Sequence, residues 1–599
     1  MPLVCLVLLA GLPRVAGAEP ADSGPASRID PVLATAARLT PRDSFTVWVG
    51  FRDKGEAGPA DLAALLKAAE AALTPRARAR RLRAGVQPLV DERDLPVAPG
   101  YLEALVRSGC RPIAVSRWLD QAAIRLPGAR VPEIAALPFV WLVAPVERVR
   151  RSPDPAGSEI PLARLAPARE TGRAALDHGL MQRPLDQIGV PSVHGAGFTG
   201  KGVLVTVLDD GFNFFDKHEA LRHLVIPASR QRDFVRGLQQ VQDTTAVGME
   251  HGTWVLGCLA GYLPGTYVGA AYGADFALAR TEIDATETTQ EMLYWQMGAE
   301  WADSLGADVI SSSLAYTTFD GGIGSYTYAD MDGHTTVVSR AAEIAASKGI
   351  LVVNAVGNLG NDPWHYLMAP SDVDGDSLIA VGAVDLAGSP AAFSSYGPSA
   401  DGRIKPDLAA RGVAIPLVAA TGNPQAYTSL SGTSFSTPQI AGLAACLMEA
   451  RPGWTPRDVV RALRATASQA SAPDNRVGYG IPNGAAVLCG APAGPAGPSF
   501  LTLQRPGRNP VRFAEGAVHI HLGLAQGAAT TARDAVLEIH DSLGRTVGRP
   551  WSGVIPCGLG LTVTWDGRDR MGHRCGAGLY VVTLRSGSDR ASLRLVCLP

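Results

Sequence analysis

The sequence has almost no net charge, no long apolar run and no closely spaced pair of cysteines. Its 54 lysines and arginines nearly balance 56 acidic residues, so charge gives no argument for a nucleic-acid partner. Beyond the N-terminus, no stretch of about eighteen uninterrupted apolar residues predicts a transmembrane segment. Because no Cys-x-x-Cys motif occurs, a cysteine-ligated zinc site is not expected.

The first residues have the features of an export signal. An apolar run at 3–12 is too short to span a bilayer, and it is followed by the small residues Ala16, Gly17 and Ala18. We therefore predict a signal peptide over 1–18 and a secreted or cell-surface protein with bacterial-type export. The alternative is a buried N-terminal segment.

Cysteine usage leaves an odd number of thiols in the exported chain. Of eight cysteines, Cys5 lies in the predicted signal, so seven remain. In an oxidising compartment we expect any disulfide in the C-terminal trio of Cys557, Cys575 and Cys597. The spacing does not predict which of them pair.

The chain is too long for one hydrophobic core, and its N-terminal part, 40–150, predicts a small α+β unit. Alternating residues at 44–51 indicate a strand, and Thr74-Pro75 is typical of a helix start. Two more strands, at 121–126 and 140–145, flank a predicted helix at 131–137. The segment 151–180, which begins beside Arg150-Arg151, resembles an exposed linker or processing region.

An arginine-rich run follows the predicted helix start. Its members are Arg76, Arg78, Arg80, Arg81 and Arg83. A nucleic-acid patch is one interpretation, but acidic residues nearby neutralise the run. We therefore expect a solvated helix face.

The pattern changes over 181–490, where apolar β-branched runs alternate with alanine-rich helical segments. Strands are predicted at 203–208, 308–310, 350–354 and 378–384, and helices at 335–348 and 437–450. Continuous apolar strands are buried on both faces of a parallel sheet. The prediction is a doubly wound, mostly parallel α/β domain.

A Pro/Gly linker at 491–515 leads to a C-terminal unit, 516–599, of short strands. They are predicted at 536–540, 561–565, 579–584 and 593–596, with turn residues between them. This spacing favours a small β-sandwich. Trp565, Leu579 and Tyr580 are its expected core residues.

Three segments of the central domain carry candidate chemistry. Asp209 ends an apolar strand at the sheet edge where α/β folds bind ligands, although an Asp before Asp-Gly is also common in turns. His251 opens an apolar helical segment, where a capping histidine is the alternative. Ser434 begins a buried helix, whose N–H groups favour developing negative charge.

Taken in order, the central segments resemble the subtilisin-family serine proteases, the subtilases. The matching strings are VTVLDDG around Asp209, HGTWVLG at His251, GADVISSSL at 306–314, VVNAVGN at 352–358, FSSYGP at 393–398, KPDLAARG at 405–412 and GTSFSTP around Ser434. The resemblance covers residues 180–490 and implies a serine endopeptidase of subtilisin-like fold.

The resemblance also implies a role for each site residue. Ser434 would be the nucleophile, His251 the general base and Asp209 its orienting carboxylate. Asn358 would donate to the oxyanion together with the Ser434 backbone N–H. The implied substrate-binding residues pair with an extended peptide as an added strand; they are Ser313, Leu314 and Ala315. No cofactor is required for this chemistry.

Two positions depart from the family pattern, and two acidic runs raise the question of a metal. Asp210 places a second carboxylate beside Asp209, where it could bind a cation or alter the local pKa, and Ala315 replaces a common glycine, which would narrow the primary pocket. The acidic runs are Asp330-Met-Asp332-Gly and Asp372-Val-Asp374-Gly-Asp376. Structural calcium is a candidate there, but neither run has EF-hand spacing, and an acidic loop is the preferred interpretation.

The flanking units resemble known modules as well. The N-terminal unit is similar to the ferredoxin-like, inhibitor-type prodomain of subtilases, which implies a self-processed zymogen with its own prodomain as inhibitor; an ordinary accessory domain is the alternative. The tail resembles the FlgD-like immunoglobulin-type domain, which implies sorting, anchoring or spacing and a secretion machinery as partner.

Two other functions compete with a protease. A non-catalytic surface protein on a dead subtilase scaffold is disfavoured because all four catalytic positions carry the expected residues. A lipase or esterase predicts a G-x-S-x-G elbow, which Ser434 lacks.

Overall fold

The computed structural model describes most of the chain. The described residues are 25–55, 58–146, 150–151, 158–160, 176–245, 249–282, 291–317, 326–374, 376–489, 501–504, 511–512, 518–524, 533–555, 561–586 and 589–598. The predicted signal at 1–18, Cys5, Cys557 and most of the two linkers lie outside these ranges, so those predictions stay predictions.

The N-terminal unit is an antiparallel four-stranded sheet packed against helices, with strand order β2-β3-β1-β4. Its elements are α1 Pro31–Leu39, β1 Ser44–Phe51, α2 Pro59–Ala72, α3 Pro75–Arg83, α4 Pro99–Arg107, β2 Pro112–Ser116, β3 Gln121–Pro127, α5 Val131–Ala135 and β4 Val140–Pro145. Helix α3 begins as predicted, because the Thr74 hydroxyl accepts from the Ala77 N–H. The predicted helix at 131–137 ends earlier, at Ala135.

The arginines of α3 do not form the solvated face that the composition suggested. Arg80 and Arg81 are only 1% and 0% exposed. Both pair with Asp303 of the central domain, more than two hundred positions further along the chain. The expectation was wrong because the neutralising carboxylate comes from tertiary contact as well as from nearby sequence.

The central domain contains a seven-stranded, fully parallel sheet of order β16-β15-β14-β12-β7-β11-β8. Its first elements are α6 Gln182–Gln187, α7 Val190–Gly195, β7 Leu204–Asp209, β8 Gln231–Asp233, α8 His251–Ala260, β9 Tyr262–Leu263, β10 Tyr267–Val268, β11 Asp275–Arg280, α9 Glu291–Leu305, β12 Val309–Ser312 and β13 Tyr316–Thr317. The remaining elements are α10 Val337–Ser347, β14 Leu351–Ala355, β15 Leu378–Val384, β16 Leu408–Arg411, β17 Ile415–Val418, β18 Tyr427–Leu430, α11 Thr433–Ala450, α12 Pro456–Ala465 and α13 Gly484–Cys489.

Helices cover both faces of this sheet, as the doubly wound prediction requires. In β7, Val205 and Val207 join the core that contains α8 and α11, while Leu204 and Leu208 join the core that contains α9 and α10. Successive side chains of a strand point to opposite faces. Burial on both sides is the reason why β7 reads as one continuous apolar run.

The N-terminal sheet packs on the outer face of α9 and α10. Trp48 and Ala123 of the sheet form one apolar cluster with Leu293 of α9 and Val337 of α10. This contact places the N-terminal unit against one helical layer of the central domain.

The segment predicted as an exposed linker contains two short strands where it is described. β5, Arg150–Arg151, pairs antiparallel with β13, and β6, Ser158–Ile160, pairs antiparallel with β18. The connection between the two units is therefore docked on the central domain at both of these points.

The C-terminal unit consists of two sheets, of orders β19-β21-β24 and β20-β26-β25-β22-β23. Its strands are β19 Leu501–Gln504, β20 Val511–Arg512, β21 Val518–Leu524, β22 Arg533–His540, β23 Thr546–Ile555, β24 Leu561–Trp565, β25 Gly578–Ser586 and β26 Asp589–Leu598. Trp565 and Tyr580 are buried as predicted, but Leu579 is 41% exposed because it lies on the outer face of β25. No disulfide joins Cys575 to Cys597.

A buried histidine pair ties the start of the central domain to α7. His178 Nε2 lies 2.8 Å from His194 Nδ1, and His194 Nε2 donates to the Ala270 carbonyl at 3.0 Å. Burial, assisted by the neighbouring His178, lowers the pKa of His194 to about 3. The pair is therefore neutral in the folded protein at neutral pH.

Acidification is expected to destabilise the protein through this pair. In the unfolded chain a histidine titrates near pH 6.5. The stabilisation is fully present above about pH 6.5 and falls toward about pH 3, since the unfolded state then binds a proton that the folded state does not. Urea unfolding at about pH 7.5 and about pH 5 should show this loss, and His194→Gln should reduce it. An equal loss in wild type and variant contradicts the assignment.

Within the described ranges, no helix combines the length and the apolarity that crossing a membrane requires.

Candidate active site

A carboxylate and an imidazole meet at the carboxyl edge of the parallel sheet. Asp209 is the last residue of β7 and is fully buried. Its Oδ1 lies 2.5 Å from Nδ1 of His251, the first residue of α8. Oδ1 also accepts from the Asp210 N–H at 2.9 Å. The geometry holds the imidazole by Nδ1, so Nε2 is the ring nitrogen that can exchange a proton with a substrate or nucleophile.

Close approach of α8 to β7 depends on a glycine. A Cβ at Gly252 would lie 2.3 Å from the Gly211 carbonyl oxygen and 3.0 Å from Cβ of Asp209. The Asp210 carboxylate accepts from the Gly252 N–H at 3.1 Å. The sequence offered Asp210 as a group that could bind a cation or alter the local pKa. In the structure its carboxylate accepts from one of the N–H groups that the first turn of a helix leaves without a partner within the helix.

Ser434 lies in the first turn of α11, a helix that is buried over nearly its whole length. Its Oγ lies 3.3 Å from the Ser313 carbonyl oxygen, and the Ser313 hydroxyl donates to the Ser434 carbonyl at 2.7 Å. The ring of the next residue, Phe435, lies 5.8 Å from the ring of His251. The starts of α8 and α11 therefore pack together, with Ser434 at their junction.

Asn358 is oriented by the residue that precedes Ser434. Its Oδ1 accepts from both the backbone N–H and the hydroxyl of Thr433, each at 2.9 Å. Because a carboxamide has its oxygen and nitrogen on opposite sides, this pair of bonds directs Nδ2 away from Thr433. The predicted oxyanion donor thus lies beside the predicted nucleophile.

The segment Ser313, Leu314 and Ala315 leaves β12 toward the same edge. The backbone of Leu314 is fixed by a hydrogen bond, because Nδ2 of the buried Asn354 donates to its carbonyl at 2.9 Å. The structure thus brings all seven predicted site residues to one edge of the sheet. The sequence did not identify Asn354 and Phe435 as residues of the site. An Asn in a strand or a Phe in a helix has no sequence feature that distinguishes a residue positioning a site from one in the ordinary core.

The two acidic runs use their carboxylates for local hydrogen bonds. Asp332 accepts from the N–H groups of His334 and Thr335, each at 2.8 Å. Asp372 is buried and accepts from the Gly333 N–H at 2.8 Å and the Ser339 hydroxyl at 2.6 Å. These contacts favour the acidic-loop interpretation, and calcium stays a prediction. Of the described residues, the three whose ligand atoms lie within 4.8 Å of one another are the site's own Asp209, Asp210 and His251.

Fold and site together define a class of protein. An imidazole held by a buried carboxylate, a serine at a buried helix start and an amide beside it are the groups that acyl transfer requires. They stand on a parallel α/β sheet, with the aspartate, histidine and serine in that chain order, which is the order of the subtilisins. The class is a serine hydrolase of subtilisin type.

Comparison with known proteins identifies the family. Residues 200–480 match the model of the Subtilase family, and residues 46–157 match the Peptidase S8 propeptide domain, Bacteroidota. Subtilisin from Bacillus pumilus is 31% identical over 286 residues, which are 47% of this chain and 90% of that protein. The chain therefore belongs to the subtilase family.

Other relatives cover the same region. Subtilisin BL from Lederbergia lenta is 29% identical over 304 residues, 51% of this chain and 97% of that protein. The solved structure of MycP1 from Mycobacterium smegmatis covers 57% of this chain and 90% of its own, with 23% identity and a TM-score of 0.41.

The family assignment confirms the predicted fold class and enzyme class. The protein is a serine-type endopeptidase with an N-terminal propeptide domain, which supports the predicted intramolecular inhibitor. The accessory-domain alternative for that unit was wrong. The FlgD-like resemblance of the tail stays a prediction.

Proposed function

We propose that the chain is a secreted serine endopeptidase that uses Asp209, His251 and Ser434 as its triad and Asn358 as an oxyanion donor. The observation that carries this proposal is the 2.5 Å contact between Asp209 Oδ1 and His251 Nδ1 at the junction of α8 and α11. Asp209 and His251 are almost fully buried, which strengthens this charge-assisted contact.

Each residue has one task in peptide-bond hydrolysis. Ser434 Oγ attacks the carbonyl carbon while His251 Nε2 takes its proton, and His251 then passes that proton to the leaving amine. Water repeats the two steps to release the acyl group. Asp209 keeps the Nδ1–H tautomer and stabilises the imidazolium. Asn358 Nδ2 and the Ser434 N–H stabilise the oxyanion.

Extended polypeptides are the proposed substrates. Just beyond Ala315, the short strand β13 pairs antiparallel with β5 of the chain's own linker. A chain segment added beside the substrate-binding residues is strand addition, which recognises backbone groups and so accepts many sequences.

Self-processing is proposed for the linker. β5 pairs with β13 on one side of the site, and β6 pairs with β18, which ends shortly before Ser434. The described linker strands thus pair with segments that lie close in sequence to Ser313 and to Ser434. We expect the cut that separates the propeptide to fall between Arg151 and Ser158.

Export is the remaining part of the proposal. The predicted signal at 1–18 supports a secreted or cell-surface enzyme, and the C-terminal β-sandwich is proposed as a sorting or anchoring module for a secretion machinery. Such a module needs no chemistry of its own.

A covalent label tests the proposed triad. The processed protein is treated with a fluorophosphonate, which reacts only with an activated serine, and peptides are mapped by mass spectrometry. We expect one adduct, on Ser434, and an N-terminus between positions 152 and 158. Unfolding the protein first should abolish the label, because His251 then no longer activates the serine.

A matched serine serves as the control. Ser436 lies two residues further along α11, where its hydroxyl donates to the Ala410 carbonyl at 3.0 Å. Ser436→Ala should keep the adduct, whereas Ser434→Ala should lose it. A folded, processed protein that takes no label would favour the non-catalytic binding protein.

A further inference from the structure

Helix α3 of the propeptide inserts a guanidinium into a site that the catalytic domain builds for it. Arg80 is 1% exposed. It donates to the backbone carbonyls of Ala307 at 2.9 Å and Lys348 at 3.1 Å, and to the carboxylate of Asp303. Two of the acceptors are main-chain oxygens of the catalytic domain. Because the fold of that domain fixes their positions, the site is formed whenever the domain is folded.

A second arginine and a lysine extend the contact across the interface. Arg81 donates to Asp303 at 2.8 Å and to the propeptide's own Asp94 at 2.7 Å. Lys348 of the catalytic domain in turn donates to Asp94 at 2.8 Å. Burial alone would raise the pKa of Asp94, but Arg81 and Lys348 outweigh it and lower that pKa to about 2. The Asp94 carboxylate therefore remains charged at neutral pH.

Two further arginines of α3 share one carboxylate. Asp308, which directly precedes β12, accepts from Arg76 at 2.8 Å and from Arg83 at 2.6 Å. These arginines are 35% and 28% exposed, so water screens their pairs more than those of Arg80 and Arg81.

The catalytic domain also fits α3 in shape. Gly306 and Gly349 have φ of +81° and +83°, and both lie under the helix. A Cβ at Gly306 would lie 2.5 Å from Cβ of Arg76, and one at Gly349 would lie 2.5 Å from Cβ of Ala84. Two glycines thus let the helix approach closely enough for its arginines to reach their acceptors.

This contact lies away from the chemistry. Asp308 is at the start of β12 and Ser313 follows its end, so the two are separated by the length of the strand, about 15 Å at roughly 3.3 Å per residue. The contact at the amino edge of the sheet is therefore distinct from the linker strands β5 and β6.

We propose that these residues form an arginine anchor that holds the propeptide on the enzyme after the linker has been cut. The arginine anchor consists of Arg76, Arg80, Arg81 and Arg83 on α3 with Asp303, Asp308 and Lys348 on the catalytic domain. Its partner is this chain's own propeptide, because the arginines match the two aspartates in charge and the glycines match α3 in shape. This inference rests on the proposed self-processing.

The anchor should act mainly on the rate of dissociation. Removing one member of a buried, hydrogen-bonded charge pair leaves the other member buried without its partner. The resulting loss of binding free energy increases the dissociation rate. We expect Arg80→Ala to release the cut propeptide on the order of a hundredfold faster. Arg83→Ala should give only a few-fold change, because its pair is partly solvated.

The experiment uses the full chain and a matched arginine. Arg78 lies in the same helix but pairs with Glu70 inside the propeptide, at 3.0 Å, and is 40% exposed. Wild type, Arg80→Ala, Arg83→Ala and Arg78→Ala are allowed to process, and gels confirm the cut. Each is then diluted, and the lag before hydrolysis of a chromogenic peptide gives the dissociation rate. Arg78→Ala should match wild type within about twofold.

Failure of the anchor and failure of self-processing give different results. Chains that stay uncut contradict self-processing. Cut chains in which Arg80→Ala and Arg78→Ala release the propeptide at the same rate overturn the anchor. If Arg80→Ala does not fold, the comparison is made between Arg83→Ala and Arg78→Ala. Equal dissociation rates of the cut propeptide in these two variants overturn the anchor.

A second measurement needs no cleavage. In the Ser434→Ala background the linker should stay intact, and hydrogen exchange of the α3 amides reports local opening of the interface. We expect exchange at least about tenfold faster with Arg80→Ala than with Arg78→Ala. Equal exchange in the two variants would also overturn the anchor.

Discussion

Replacing Ser434 by alanine is expected to lower kcat for casein by about a millionfold, the loss known for the serine of a subtilisin. The reason is that the proposed mechanism has Ser434 Oγ as the group that attacks the substrate carbonyl. The measurement is casein hydrolysis by the purified full chain, with mass spectrometry of its N-terminus.

Two comparisons make this result specific. Ser436→Ala loses one buried hydrogen bond, worth about 1 kcal/mol, and should retain activity near that of wild type. The Ser434→Ala chain should also keep its propeptide covalently attached. Equal casein hydrolysis by wild type and Ser434→Ala would show that another group is the nucleophile.

Replacing Asp209 by asparagine is expected to lower kcat by about 10⁴-fold while the protein stays folded. The volume is unchanged, but an amide nitrogen facing His251 Nδ1 would favour the tautomer with its proton on Nε2. That tautomer cannot take the Ser434 proton. The measurement is kcat for a peptide substrate across the pH range, with circular dichroism as the check on folding.

The neighbouring carboxylate gives the control. Asp210 contacts the Gly252 N–H at 3.1 Å, and the carbonyl oxygen of an asparagine can accept the same bond. Asp210→Asn should therefore change kcat by less than about tenfold, since the carboxylate that contacts His251 Nδ1 is that of Asp209. Equal losses in the two variants would mean that the second carboxylate takes part in the chemistry.

The candidate site was predictable because its residues lie in short motifs whose local structure is strongly constrained. Asp209 ends a strand that is apolar throughout, and parallel strands expose their carboxyl ends at one edge. Ser434 begins a helix whose small and apolar residues predict burial. That these side chains converge was implied by the resemblance of their motifs to those of the subtilases.

Other features followed only from contacts between distant segments. The α3 arginines were expected to face solvent, yet Arg80 is buried because Asp303, Ala307 and Lys348 come from a domain that follows much later in the chain. Leu579 was expected in the core, yet the face of β25 that points inward is set by the register of its partner strands. A one-residue difference in register moves every side chain of a strand to the other face.

The sequence was therefore sufficient for the fold class through hydrophobic periodicity, and for the enzyme class and the candidate triad through motifs that resemble those of the subtilases. The docking of the propeptide, the pairing of the linker strands with β13 and β18, and the approach of α8 at Gly252 came from the folded chain. These depend on distances between segments far apart in sequence, and neither composition nor spacing contains those distances.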